Sequence, residues 1–206
     1  MKNITLSIVA AVMAIIAVSC NQSSNKNNEQ STVTSDVPAI QEPSKENDSE
    51  TSTDNEAIAK AGNFSISPII TDYLTLKNAL VSDDDKAAAN AGKALLATFN
   101  KVDMNTIPAD KHKEYLDIAD DAKEHAEHIG DNVGNIAHQR EHLAVISEDV
   151  KDLIALFGTS KKLYQDHCPM FNDGKGAIWL SEGKEIKNPY YGSEMLTCGN
   201  VQQELK

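Results

Sequence analysis

The chain has 206 residues, 40% of them hydrophobic and 24% charged, and carries a formal net charge of -12. So large an acidic surplus excludes a nucleic-acid binder, which needs a basic face to displace counterions from phosphates. Acidity keeps a protein soluble and also suits one that meets cations.

The first twenty residues read as an export signal. Lys2 gives a short positive region, and ITLSIVAAVMAIIAV is apolar but too short and wrongly flanked for a membrane span. The run closes on AVSC and so resembles a bacterial lipoprotein signal, with Cys20 as the lipidated first residue of the mature protein. Ala17 stands where such signals usually carry leucine, and an ordinary secretory signal cut near Ser19 is the alternative. Both readings place the mature chain outside the cytoplasm, facing the periplasm. Acyl chains on Cys20 would hold it on a membrane without spanning it.

Residues 21–63 contain no aromatic residue and few large apolar ones. Such a segment buries too little surface to offset its ordering entropy, and it is expected to be a disordered tether with a reach of roughly 35 Å.

From Phe64 to Gly158 the apolar residues recur with helical period. Ser67-Pro68 marks a first helix start, followed by the apolar face Ile69, Ile70, Tyr73, Leu74, Leu76 and Leu80. The run SDDD at 82–85 is a turn and a second helix start, its acids suited to the positive end of the helix dipole. In KAAANAGKALLATF the small residues Ala87, Ala91 and Ala94 allow close helix approach. Pro108 opens a third helix with Tyr115, Leu116, Ala119, Ala122, Ala126 and Ile129, ended by Gly130. A fourth runs from about Asn132 to Phe157, with Ile136, Leu143, Val150, Ile154 and Phe157 in one row, and Gly158 closes it. Short connections make neighbours antiparallel. The expected fold class is all-α, an up-down four-helix bundle over residues 64–158.

Residues 159–206 carry turn signals at short intervals, NDGKG, SEG, NPYYG and TCGN, around one apolar run, AIWL. They are expected to form an irregular cap, with room for one short hairpin, packed on the bundle by Trp179, Tyr190 and Tyr191. GKG is a turn and not a phosphate loop, since GxxxxGK[ST] is missing.

The chemistry-bearing residues concentrate in this cap. If Cys20 is lipidated, Cys168 and Cys198 remain, in a compartment where a disulfide is the default. Yet Cys168 has Met170 beside it and Cys198 has Met195, and thiolate with thioether selects Cu(I) or Ag(I) over hard cations. Adjacent His167 could add an imidazole. The two readings, a soft-metal site and a Cys168–Cys198 staple with both methionines as core filler, stand side by side. On the helices, His125 and His128 are spaced i, i+3, and His138 and His142 i, i+4, each pair on one face as metal ligands require. His128 and His138 flank a brief turn and belong to the same end of the bundle. His142, beside the apolar row, is the one expected to point inward, while His112 and His125 read as solvated. HQREH lacks the glutamate that follows the first histidine in the HExxH of zinc proteases. The ten residues from Gly158 to Cys168 are long enough to bring sulfurs and histidines together without requiring it. No enzyme is expected: His167 and Cys168 are sequence neighbours, no third group orients them, and there is no CxxC pair.

The stretch YQDHCPMFNDGKGAIWLSEGKEIKNPYYGSEMLTCGNV resembles the C-terminal signature of an uncharacterised periplasmic domain family, found in lipoproteins and fused to periplasmic adaptor subunits of copper and silver efflux pumps. DYLTLKNALVSDD and HQREHLAVIS are similar to its earlier segments, so that the resemblance spans residues 66 to about 201. It implies a helical fold and copper handling, and it carries a metal role onto Cys168, Met170, Met195, Cys198 and His142. Together these readings describe a lipid-anchored binder of Cu(I) or Ag(I), partnered by an efflux-pump adaptor. The competing class is a non-metal interaction module closed by a disulfide.

Overall fold

Four long helices, a short helical turn at Phe171–Gly174 and a three-stranded antiparallel sheet are the main elements of residues 64–206, the part of the chain that this computed structural model describes. The helices are α1 (Ser67–Val81), α2 (Asp85–Asn100), α3 (His112–Asp131) and α4 (Ile136–Phe157). The strands are β1 (Leu163–Cys168), β2 (Ala177–Ser181) and β3 (Asn200–Leu205), in the order β2-β1-β3. The expected signal, the tether and Cys20 lie outside the described residues. No helix among the described residues is long and apolar enough to cross a membrane.

Local chemistry sets the helix ends. The Asp84 carboxylate accepts the Ala87 amide at 2.8 Å and starts α2, and Asn135 accepts the His138 amide to start α4. Gly158, with φ 76°, ends α4. At α1 the cap lies earlier than expected: Ile66 is the N-cap residue, Pro68 falls in the first turn, and Ser65 Oγ accepts the Ser67 amide. Pro108 leads first into a 3-10 turn over Ala109–Lys111, and α3 follows from His112. Gly130 does not stop α3, which continues to Asp131.

Successive helices pack on one another around a core that includes Ile70, Leu76, Leu80, Leu95, Ile129, Leu143, Ile146 and Leu153. Burying each such side chain stabilises the fold by about 1.5–3 kcal/mol. The buried face of α2 is rotated from the expected one: Ala88, Ala91, Gly92, Leu95 and Phe99 are inside, while Ala94 is exposed. Gly92 meets α3 so closely that a Cβ there would stand 2.9 Å from the Ala126 carbonyl oxygen. Only glycine permits that approach.

The fold is not all-α, because the cap is a sheet. The hairpin that the sequence allowed is β1–β2, with Cys168 opposite Ala177 and Tyr164 opposite Ser181. The last strand, β3, pairs on the other edge of β1, with a bulge between Gln165 and Asp166. β2 packs along α4 and reaches α1, where the buried Tyr73 hydroxyl accepts the Leu180 amide at 2.9 Å and bonds to Ser147 on α4 at 2.8 Å. Arg140 of α4 fastens the remaining loop, donating to the carbonyls of Pro189 (2.8 Å) and Leu80 (3.1 Å) and pairing with Asp83. Trp179 and Tyr190 are buried as expected, with rings in edge contact, and Tyr191 is half-buried.

Candidate functional site

The two cap cysteines end in each other's company because of the sheet register. His167 pairs with Asn200 across β1 and β3, so that Cys168 at the end of β1 lies opposite the residues just before β3. Cys198 occupies that position. Gly199 makes the turn possible: its φ is 143°, and a Cβ would stand 2.7 Å from the Trp179 ring and 2.8 Å from the His167 carbonyl oxygen. The Cys198 amide donates to the Met195 carbonyl at 3.0 Å, which closes a tight turn containing Met195 and Cys198.

Neither thiol is bridged; Cys168 is buried and Cys198 half-buried. Burial pushes the Cys198 thiol above its ordinary range, and the adjacent Cys168 raises it further. A soft cation that displaces both thiol protons would convert this pair into two thiolate ligands.

Around the thiols, Met170 follows Cys168 at the start of a turn in which Asn172 and Asp173 adopt positive φ. Met170 is 55% exposed and Met195 37% exposed, so neither is core filler. The Tyr191 hydroxyl donates to the Met170 carbonyl at 3.1 Å and feels both thiols, which, after burial, hold it above its usual range. His167 is brought to the neighbourhood but not to the thiols. Alternation along β1 sends its side chain to the face opposite Cys168, and its ring lies over Gly176, where a Cβ would overlap it.

His142 sits elsewhere, in a group of four imidazoles. His125 and His128 come from α3 and His138 and His142 from α4, joined by the short connection 132–135. Nδ1 of His125 and Nδ1 of His142 are 2.6 Å apart, and Nε2 of His142 is 3.0 Å from Nε2 of His138. The His128 ring stacks on His142, with centroids 4.6 Å apart and planes at 9°. Ligand atoms of His128, His138 and His142 all lie within 4.8 Å of one another. Two carboxylates stand behind the rings: Glu141 Oε2 is 3.0 Å from His138 Nδ1, and Asp121 Oδ1 is 3.4 Å from His125 Nε2. Burial, then the neighbouring imidazoles, lower the His142 pKa to about 4, so this ring is neutral and available as a ligand at ordinary pH.

The pairwise histidine spacings were readable from the sequence, and so was the inward orientation of His142. What escaped it was that His125 is part of the cluster rather than solvated. The remaining helical histidine, His112, bonds through Nε2 to the Ile107 carbonyl (2.9 Å) and has a structural part. Asn188 also escaped notice, hidden in a segment read only as a turn. It is fully buried, donates to the Cys198 carbonyl and accepts the Tyr190 amide.

Residues 69–162 match the model of a family described as a protein of unknown function (DUF3347). The matched segment holds all four clustered histidines and stops before Cys168. No curated protein and no solved structure matches the chain.

Proposed function

We propose that this protein is a lipid-anchored, extracytoplasmic binder of Cu(I) or Ag(I), which buffers the ion or passes it to an efflux system. The observation that carries this reading is the pair of adjacent, unbridged thiols of Cys168 and Cys198, flanked in the chain by two exposed methionines. Thiolate and thioether are the donors that select soft monovalent cations. Exposed thioethers suit a protein that must hand its ion on, since an incoming ligand can reach them. The resemblance of the cap sequence to domains accompanying copper and silver efflux adaptors points the same way, as does the AVSC box ending at Cys20.

The adjacency of the thiols supports a second reading, because a disulfide needs the same proximity. The protein would then be an interaction module with a stapled cap. An exposed apolar surface around Tyr190 and Tyr191 with no convergent sulfurs would favour that reading; Tyr190 is buried and Tyr191 half-buried.

The deciding experiment is alkylation and intact-mass measurement of the two thiols in protein taken from its native compartment, followed by Cu(I) titration against a strong chelator. Free thiols and one Cu(I) per chain, lost on Cys198→Ser, are expected. Quantitative oxidation of both cysteines, with no Cu(I) bound after reduction, would overturn the proposal.

A further inference from the structure

The hydrogen-bond network of the four histidines brings ligand atoms of His128, His138 and His142 within 4.8 Å of one another. The Glu141 carboxylate can only accept, so His138 carries its proton on Nδ1 and presents a bare Nε2. His125 Nδ1 and His142 Nδ1 share a hydrogen bond over 2.6 Å, with the Asp121 carboxylate 3.4 Å from His125 Nε2 on the other side of the ring. The bare His138 Nε2 is 3.0 Å from Nε2 of His142, a hydrogen-bond distance at which a cation can take the place of the proton. With a cation between them the two nitrogens become ligands, since bonds of about 2.0–2.1 Å at a tetrahedral angle set nitrogens about 3.3 Å apart.

We propose that His128, His138 and His142 form a site for a borderline divalent cation such as Zn(II), chemically distinct from the thiol pair and requiring none of its sulfurs. Imidazole nitrogen suits Zn(II) and Cu(II) and discriminates against Mg(II) and Ca(II). His138 and His142 are already oriented by Glu141 and by the His125–Asp121 pair, the carboxylate–histidine support that metal-ligating histidines carry. His128 is exposed and lies flat on His142, so a side-chain rotation brings its nitrogen to the ion without disturbing the core. Three imidazoles leave a fourth position open to water, which makes an exchangeable site rather than a closed structural one. Because the ligands come from both α3 and α4, bound metal clamps the two helices at one end of the bundle. The buried Gln139, which donates to the carbonyls of Asp85 and Ile129, keeps that end in register.

The test is titration of the full, reduced chain with Zn(II), read by calorimetry and by native mass, with the shift of Tm on adding metal as a second signal. One Zn(II) per chain is expected in the wild type and equally in Cys198→Ser and His167→Gln. His138→Gln, His142→Gln and His128→Ala should each weaken Zn(II) at least tenfold. His128→Ala removes only an exposed ring, so its metal-free Tm should equal that of the wild type, which guards against misfolding as the cause of a loss. Co(II) in the same protein should show d–d bands without a thiolate charge-transfer band. Unchanged Zn(II) binding by His128→Ala and His142→Gln would overturn the site, as would loss of binding in Cys198→Ser. Neither result touches the Cu(I) reading, whose failure appears only in the Cu(I) titration.

Discussion

Asn188, fully buried, donates from Nδ2 to the carbonyl oxygen of Cys198 over 2.7 Å, while its Oδ1 accepts the Tyr190 amide at 2.8 Å. Its own amide donates to the Leu196 carbonyl at 2.8 Å. One side chain thus fixes the cysteine loop to the segment that supplies Tyr190 and Tyr191. Asn188→Ala orphans both partners, at about 1–3 kcal/mol each, and should lower the unfolding midpoint in denaturant and weaken Cu(I) together. Asn188→Asp keeps the acceptor for Tyr190 but sets a buried carboxylate oxygen against the Cys198 carbonyl, so near neutral pH it should be at least as destabilising as the alanine variant. Equal stability of alanine variant and wild type would show that the loop does not depend on this contact.

Asp149 on α4 is buried, and its Oδ2 has no hydrogen-bond partner. Burial first, then the charges of Asp121, Asp152 and Glu148, push its pKa from 3.8 to about 7. A carboxyl whose folded pKa is raised binds its proton more tightly when folded, so its ionisation opposes folding. The penalty is absent below the unfolded value of 3.8, grows as pH rises toward 7, and is complete above it. Asp149→Asn should therefore raise Tm relative to wild type near about pH 8, and the difference should shrink as pH falls toward about 4. A pH-independent difference would show that Asp149 ionises normally in the fold.

The anchor proposal concerns residues outside the described part of the chain. Cys20→Ser removes the acceptor for acylation and should move the protein from the membrane to the soluble fraction, judged by fractionation. Cys20 lies outside residues 64–206, whose core is built from their own side chains, so the Tm of the variant should equal that of the wild type. Membrane association of Cys20→Ser would end the lipoprotein reading.

The helices were legible because burial and sequence polarity agree along them: a 3.6-residue apolar period has one physical solution. The strands were not. Gln165 and Asp166 on β1 are buried although polar, because Gln165 bonds to Gln202 and Gln203 and Asp166 accepts the Ser181 hydroxyl at 2.6 Å. Partners distant in sequence make those residues tolerable inside, so local polarity misreports their position. β3, NVQQEL, is mostly exposed and is a strand only because β1 offers it an edge. The candidate sites divide in the same way. The i, i+3 and i, i+4 histidine pairs follow from helix geometry, but that His125 closes on His142 depends on how α3 and α4 meet. Adjacency of His167 to Cys168 suggested a shared site, and strand alternation separates them.

The methionines decide between staple and metal site. A disulfide needs only Cys168 and Cys198, whereas a Cu(I) site with thioether ligands also uses Met170 and Met195. Both methionines are well exposed, so replacing them with leucine, similar in volume and hydrophobicity, should change stability by less than about 0.5 kcal/mol. The sulfur donors are nonetheless gone. Met170→Leu with Met195→Leu should leave thermal unfolding unaltered and weaken Cu(I) at least tenfold, or about 1.4 kcal/mol. Cys198→Ser should abolish tight binding at small cost to the reduced, metal-free protein, since the half-buried thiol leaves a hydroxyl able to bond Cys168. The opposite pattern would refute the metal reading: Cu(I) bound by the leucine pair as by wild type, with Cys198→Ser losing the roughly 2–5 kcal/mol of a native disulfide. Chelator competition and denaturant unfolding on the same preparations separate the two, because the metal reading predicts a binding loss without a stability loss in both variants, and the staple reading a stability loss in Cys198→Ser alone.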